Sequence, residues 1–265
     1  MEGLQLQSQT NKKGKLYVIG IGPGSVEQLT IASRDAILNS DYIIGNGTYL
    51  DQVKELLNGQ EIIRSHMGKE VERAKKAVEL AADNVVSMVS GGDANVYGMA
   101  GLVLEVAEHH ELDVDIEVLP GVTAITAGAS VLGAPIVNDF AVISLSDLLT
   151  PWERIEKRLR AASEADFIIS LYNPKSRQRN SNFRRAIEII QETREGSSPV
   201  GLVKNALRGD SQEMKVTTLG KVLDYDDWVD MRTMILITTP ESRIWGKKGM
   251  EKIITPRGYQ RKYDY

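Results

Sequence analysis

Lys15-Leu-Tyr-Val-Ile-Gly20 is a short apolar run that ends in glycine, and Ile21-Gly-Pro-Gly24 follows it directly. A run of this length bounded by turn residues reads as a buried strand of a parallel sheet. The residues downstream repeat the unit. Positions 29–39 read as a helix with Thr30 or Ser25 near its start. Tyr42-Ile-Ile-Gly45 is a second strand, and 70–82 a helix with Val71, Ala74, Val78 and Ala81 at helical spacing. Positions 85–89 form a third strand closed by Ser90-Gly-Gly-Asp93, 97–108 a helix, and 116–119 a fourth strand ending in Pro120-Gly121. The small-residue stretch 125–132 reads as a helix able to lie close on a sheet. This strand–helix alternation predicts a parallel sheet with helices on its faces.

The pattern then loosens. Strands are expected at 140–144, 167–172, 200–204, 215–218 and 234–238, with helices at 152–162 and 182–193. The last strands follow one another closely, so some antiparallel pairing is expected. A boundary near Gly133-Ala-Pro135 gives an N-terminal α/β domain over 14–133 and a C-terminal α/β domain over 134–265, the first mainly parallel and the second mixed. Residues 1–13 are polar and read as a disordered lead-in.

Composition narrows the chemistry. Among 265 residues there is no cysteine, so disulfide, thiolate, iron–sulfur and cysteine-nucleophile chemistry are excluded. Only three histidines are present, none at metal-ligand spacing, and no protein-bound metal is expected. A net charge of −4 carries no global footprint of a nucleic-acid binder. No apolar stretch approaches the roughly 18–20 residues needed to cross a membrane. A soluble, cytoplasmic enzyme fits these counts.

Each strand of the first half ends in small residues: GIGPG, IGNG, SGGD and PGVTA. Ligands of open α/β sheets bind beyond the carboxyl ends of strands. Turn glycines alone could also explain any one loop. A dinucleotide fingerprint fails because Ser25 stands where glycine is required, and no P-loop is present. Asp93 either contacts a ligand or caps the helix that follows. Beyond the strand at 167–172, Lys175, Arg177, Arg179, Arg184 and Arg185 form a basic patch suited to an anionic ligand. The alternative is a solvated helix start, though cations there oppose the helix dipole.

GIGPG, SGGDANVYGMA and LPGVTA, in that order, resemble the tetrapyrrole methylase family. The resemblance covers about residues 14–260. It implies two α/β domains with the active site in a cleft between them, S-adenosylmethionine as cofactor with S-adenosylhomocysteine as product, and a homodimer. Leu145-Ser-Asp-Leu-Leu-Thr-Pro-Trp-Glu153, LYNPKSR and Ile254-Thr-Pro-Arg-Gly-Tyr259 resemble the branch acting in corrin biosynthesis. That branch methylates ring carbon 17 of precorrin-3B or its cobalt counterpart and contracts the macrocycle. Another branch, or a catalytically dead cofactor-binding module, is the competing expectation.

Matching positions imply cofactor contacts at Pro23, Gly91, Gly92, Asp93, Val96, Tyr97, Thr123, Ala124, Tyr172, Asn173, Ala206 and Leu207. Ala94 departs from the proline found there in many members. A polycarboxylate tetrapyrrole calls for cations, and Lys175, Arg177 and Arg179 are the expected substrate-binding residues, with Lys204 and Arg208 behind them. Ring contraction needs an acid or base. Ser146, Asp147 and Lys175, in the branch-specific loops, are the expected catalytic residues; Asp147 could instead cap the helix beginning at Trp152.

Overall fold

A computed structural model describes residues 14–176, 178–247 and 249–264. The expected lead-in over 1–13 and the expected substrate-binding Arg177 lie outside them. The chain forms two compact units, one ending at Val122 and one beginning at Thr123.

The first unit holds β1 (Lys15–Gly20), α1 (Ile31–Leu38), β2 (Tyr42–Asn46), α2 (Gly47–Gln52), β3 (Glu61–Ser65), α3 (Glu70–Leu80), β4 (Val85–Ser90), α4 (Ala100–His109) and β5 (Asp115–Leu119). Its five strands run in the order β3-β2-β4-β1-β5, and every pairing is parallel. Alternation of side chains along a strand sorts the core onto two faces. Leu16, Val18, Val86 and Met88 join the helical residues Ala74, Val78 and Val103 on one face, while Ile19, Ile43 and Val89 join Ile37 and Leu50 on the other. Thr30 caps α1, its hydroxyl accepting from the Ser33 N–H at 3.1 Å.

The second unit begins with α5 (Ala124–Leu132). It continues through β6 (Gly133–Ala134), β7 (Phe140–Ser144), α6 (Trp152–Glu164), β8 (Ile168–Tyr172), α7 (Asn182–Gln191), β9 (Pro199–Lys204), β10 (Glu213–Thr218), β11 (Thr233–Ile237), β12 (Arg243–Trp245) and β13 (Lys252–Ile254). The main sheet has the order β10-β9-β11-β8-β7, antiparallel except for the β7–β8 pair, so the expected mixed sheet is present. A small sheet, β12-β13-β6, completes the unit.

The expected divide at residue 133 falls after α5, whereas the units part before it. The reason is packing: Ile125 and Leu132 are buried with Val203, Met234 and Leu236 of the second sheet. Gly128 and Gly201 permit the close approach. A methyl group at Gly128 would meet the Met234 side chain, and one at Gly201 the Leu132 side chain.

Arg194 fastens one end of this unit. Its side chain is 1% exposed and lies 3.3 Å from Asp166. It donates to the carbonyls of Phe167 at 2.9 Å, Ser163 at 3.3 Å and Thr238 at 3.4 Å. Burial pushes its pKa below the usual arginine value, and Asp166 opposes that shift. Replacing Arg194 by Met removes a donor from all three carbonyls; Ser163 O keeps the Asp166 N–H at 3.2 Å, and a carbonyl left without any donor costs roughly 1–3 kcal/mol. The expected result for Arg194→Met is a loss of about 3 kcal/mol, or roughly 6–12 °C in melting temperature for a chain of this size. A melting temperature within 2 °C of wild type, by calorimetric scan, would remove Arg194 from this role.

Candidate active site

Strands β4, β1 and β5 are neighbours, so the loops that leave their carboxyl ends are neighbours too. These are SGGD, GIGPG and PGV. Their main chains bond directly. Ile21 N–H donates to Ser90 O at 2.9 Å, Gly22 N–H to Gly92 O at 2.8 Å and Val122 N–H to Gly22 O at 3.2 Å. The glycines serve this packing: a Cβ at Gly20 would lie 2.6 Å from Gly121 N, and one at Gly121 2.6 Å from Gly20 C. Gly91 leaves room for the Tyr49 ring, and Gly92 has φ +68°. Pro23 is buried. In the IGNG segment β2 runs directly into α2, with Gly45 packed on Val89 and Leu50 and Asn46 capping α2 through Thr48 N–H at 2.9 Å.

Asp93 knots the loops together. Its Oδ1 accepts from Asn95 N–H at 2.9 Å and Val96 N–H at 3.3 Å, and its Oδ2 from Gly121 N–H at 3.0 Å. It therefore caps the turn that follows it and ties that turn to the loop after β5; it does not cap α4, which begins at Ala100. Val96 and Tyr97 follow on this turn, Tyr97 with φ +53° and 54% exposed. Ala94, the departure noted in the sequence, is fully buried, and its carbonyl accepts from Ala100 N–H at 3.0 Å.

In the second unit, β8 runs parallel to β7 and, through the antiparallel β11, in the same sense as β9. The carboxyl ends of β7, β8 and β9 thus share one sheet edge. Ser146 and Asp147 leave from β7, Asn173 from β8, and Ala206 and Leu207 from β9. Tyr172 meets the nominated Thr123–Ala124 step: its hydroxyl accepts from Ile125 N–H at 2.6 Å and lies 2.7 Å from Thr123 Oγ1. It satisfies a donor at the start of α5 that the helix itself cannot. Tyr172→Phe keeps the ring and removes both bonds, so a loss of about 1–2 kcal/mol is expected by chemical denaturation. An unchanged unfolding midpoint would show that the hydroxyl does not hold α5.

Six described non-glycine residues have positive φ, and three of them are nominated cofactor positions: Tyr97 at +53°, Asn173 at +52° and Leu207 at +58°. For leucine that conformation is a genuine outlier, and such strain concentrates where a binding surface fixes the chain. Leu207 is held by its N–H donating to Gln212 Oε1 at 2.8 Å.

The expected basic patch is divided among protein partners. Lys175 is 9% exposed, with Nζ 2.7 Å from Asp226 O and 2.8 Å from Asp226 Oδ2. This sequesters a residue expected to be both catalytic and substrate-binding. Arg184 lies 4.0 Å from the same carboxylate, and the Arg185 guanidinium sits 4.2 Å over the Trp152 ring. Lys204 donates to Trp228 O at 2.7 Å and pairs with Asp230 at 3.4 Å. Arg179 instead joins nominated residues, bonding Ser146 Oγ at 3.1 Å and Asn173 O at 2.9 Å, with Asp147 at 3.9 Å. Asp226 had no local motif to announce it; its pairing with Lys175 spans 51 positions. Among the described residues, no group of three or more His, Asp or Glu side chains could hold a metal ion, and no helix is long and apolar enough to cross a membrane.

Residues 15–223 match the family described as tetrapyrrole (corrin/porphyrin) methylases. The chain belongs to this family. A cobalt-factor III methyltransferase from Priestia megaterium is 47% identical over 95% of the chain and 46% of its own length. A precorrin-3B C(17)-methyltransferase from Sinorhizobium sp is 39% identical over 93% of the chain and 97% of its own. This tetrapyrrole methylase spans about half the length of two of its most similar curated relatives. The crystal structure of the methyltransferase CobJ superposes with a TM-score of 0.86 at 33% identity, covering 92% of this chain and all of that one. A uroporphyrin-III C-methyltransferase from Thermus thermophilus, complexed with S-adenosylhomocysteine, shares the fold at a TM-score of 0.66 and 20% identity.

Proposed function

We propose that this tetrapyrrole methylase transfers a methyl group from S-adenosylmethionine to ring carbon 17 of precorrin-3B or cobalt-factor III and contracts the macrocycle, in cobalamin biosynthesis. The observation that carries this reading is the near full-length match, on both chains, to a relative named precorrin-3B C(17)-methyltransferase. The left-handed Tyr97, Asn173 and Leu207 support it, because three nominated positions hold conformations that ordinary packing does not favour.

The cofactor, when bound, supplies a methyl group already activated on a sulfonium. Pro23, Gly91, Gly92, Asp93, Val96 and Tyr97 in the first unit, and Thr123, Ala124, Tyr172, Asn173, Ala206 and Leu207 in the second, are the positions proposed to hold it. The chain's task is then alignment and exclusion of water, which need neither a protein nucleophile nor a protein-bound metal. The candidates for ring contraction are Ser146, Asp147 and Lys175, the last with its ammonium paired to Asp226. Asp147, with 42% of its side chain exposed, is the residue proposed to exchange a proton with substrate. The substrate is a polycarboxylate, the enzyme a cytoplasmic homodimer.

The test is incubation of the protein with isotope-labelled S-adenosylmethionine and either the metal-free or the cobalt-containing trimethylated substrate. Carbon NMR is expected to place the new methyl group on ring carbon 17 of a contracted macrocycle with one of the two. A methyl group at another carbon would assign a different branch. Binding of S-adenosylhomocysteine with no turnover of either substrate would indicate a dead cofactor-binding module. Sedimentation equilibrium tests the dimer.

A further inference from the structure

Arg179 stands apart from the other cations of its segment because its guanidinium serves two loops at once. One nitrogen donates to Ser146 Oγ at 3.1 Å, in the loop after β7. The other donates to Asn173 O at 2.9 Å, in the loop after β8. The side chain is only 13% exposed, so it is not a surface cation awaiting an anion. Its own main chain is fixed as well: Ser176 N–H donates to Arg179 O at 3.0 Å, and Arg179 N–H to Ser176 O at 3.2 Å.

The Arg179 Nε is buried without a hydrogen-bond partner, and the contacts of its two terminal nitrogens extend through the neighbouring polar groups. Asn173 Nδ2 donates to Ser144 Oγ at 3.0 Å, and Ser146 N–H to the same oxygen at 3.2 Å. Asn173 keeps its left-handed main chain with its carbonyl on Arg179 and its amide on Ser144. The Arg179 N–H occupies a lone pair of Ser146 Oγ, which leaves the Ser146 hydroxyl proton to be donated elsewhere. Asp147 Oδ1, 3.9 Å from the guanidinium, is beyond hydrogen-bond reach but close enough for its charge to be held there.

We infer that Arg179 is a positioning residue: it locks the loops after β7 and β8 into one body, orients Ser146 as a hydrogen-bond donor and presents the Asp147 carboxylate beside it. This replaces the substrate-binding role expected from the sequence. A planar fork can satisfy an acceptor in each loop simultaneously, which a lysine ammonium on its single stem does poorly. The inference rests on the proposed reaction only for the use to which Ser146 and Asp147 are put.

The test compares Arg179→Met, Arg179→Lys, Ser146→Ala and the Arg179→Met/Ser146→Ala double variant in the full chain. Hydrogen exchange reads the positioning directly. Arg179→Met is expected to speed exchange of the 144–147 amides and of the Asn173, Lys175 and Ser176 amides about tenfold or more, leaving α6 and the β9 amides at wild-type rates. Steady-state kinetics read its consequence. In Arg179→Met, kcat is expected to fall about 100-fold, as for an ångström-scale misplacement, and KM for S-adenosylmethionine to rise as well, because the released loop carries the nominated Asn173. Arg179→Lys recovers part of kcat, and the double variant is no slower than Arg179→Met, because Ser146 acts through the same contact. Unchanged local exchange overturns the inference, as do exchange that rises throughout the second unit and kcat losses that multiply in the double variant. If the wild-type protein turns over neither substrate while exchange responds as described, the reaction is wrong and the positioning role stands.

Discussion

Gly22→Ala is expected to yield a protein that barely folds and binds no S-adenosylhomocysteine. The added methyl group would fall on the carbonyl oxygen of Val122 and lie 2.6 Å from Gly92 Cα. Both are main-chain atoms, so no rotamer change can relieve the overlap, and the loops after β4 and β5 must be driven apart. Overpacking in a core that can adjust costs roughly 1–3 kcal/mol; against main chain the upper end applies. Parting the loops also breaks the Gly22 N–H bond to Gly92 O and the Val122 N–H bond to Gly22 O, about 1 kcal/mol each. A total of about 5 kcal/mol is comparable with the entire stability of an ordinary domain. Gly101→Ala is the matched control. Gly101 lies on α4 with nothing within 4 Å of its absent Cβ, and alanine there should add up to about 1 kcal/mol through helix propensity. Calorimetric scans and titration with S-adenosylhomocysteine of the two variants decide the matter. A Gly22→Ala protein that melts within 2 °C of wild type would mean the loops are not packed as described.

The same glycines show where sequence reading succeeds and where it stops. The strand ends were legible because an apolar run closing in small residues has a local signature. The reason for the small residues was not, since it lies in which strands become neighbours. Reading each loop alone left ligand approach and tight turning as equal explanations; the order β4-β1-β5 supplies a third, main chain packed on main chain. Strand β3 carries little sequence signature for a related reason. Glu61, Ile62 and Arg64 are exposed on an edge strand, so the alternation that marks a half-buried strand is weak. The two-residue β6 and three-residue β12 and β13 are too short to carry a period at all.

Within the site, the sequence nominates residue types suited to an anionic ligand but carries no sign of their partners. Lys175 and Arg179 lie four positions apart in one basic segment, yet one is sequestered by Asp226 and the other bridges Ser146 and Asn173. Nothing local distinguishes them. The contrast comes from residues brought in by β7 and by the turn around residue 226. Conversely, the pairing of Tyr172 with the Thr123 step joins two nominated segments that only the resemblance had connected.

Asp93→Ala is expected to weaken S-adenosylhomocysteine binding about 100-fold or more and also to destabilise the ligand-free protein. The two effects together separate two roles for this carboxylate. A side chain acting only on the ligand would leave ligand-free unfolding unchanged when removed. Here Oδ1 holds the N–H groups of Asn95 and Val96 while Oδ2 holds that of Gly121. Hydrogen bonds to an ionised group contribute roughly 1.5–3 kcal/mol each, but Asp93 is only half-buried and water takes up part of the three lost bonds, so the variant should lose about 2–4 kcal/mol of ligand-free stability. The binding loss follows because the turn bearing Val96 and Tyr97 is released from the loop after β5, and each 1.4 kcal/mol of reordering is about a factor of ten in affinity. Asp93→Asn should fall between the extremes, near a tenfold loss. Its one amide oxygen can face either the Asn95–Val96 turn or Gly121, and in each orientation the amide NH2 is turned against an N–H that needs an acceptor. Denaturant titration of the ligand-free variants beside calorimetric binding provides both readouts. If Asp93→Ala loses affinity while its unfolding midpoint stays at the wild-type value, the carboxylate works on the ligand directly and the knot between the loops is not what it supplies.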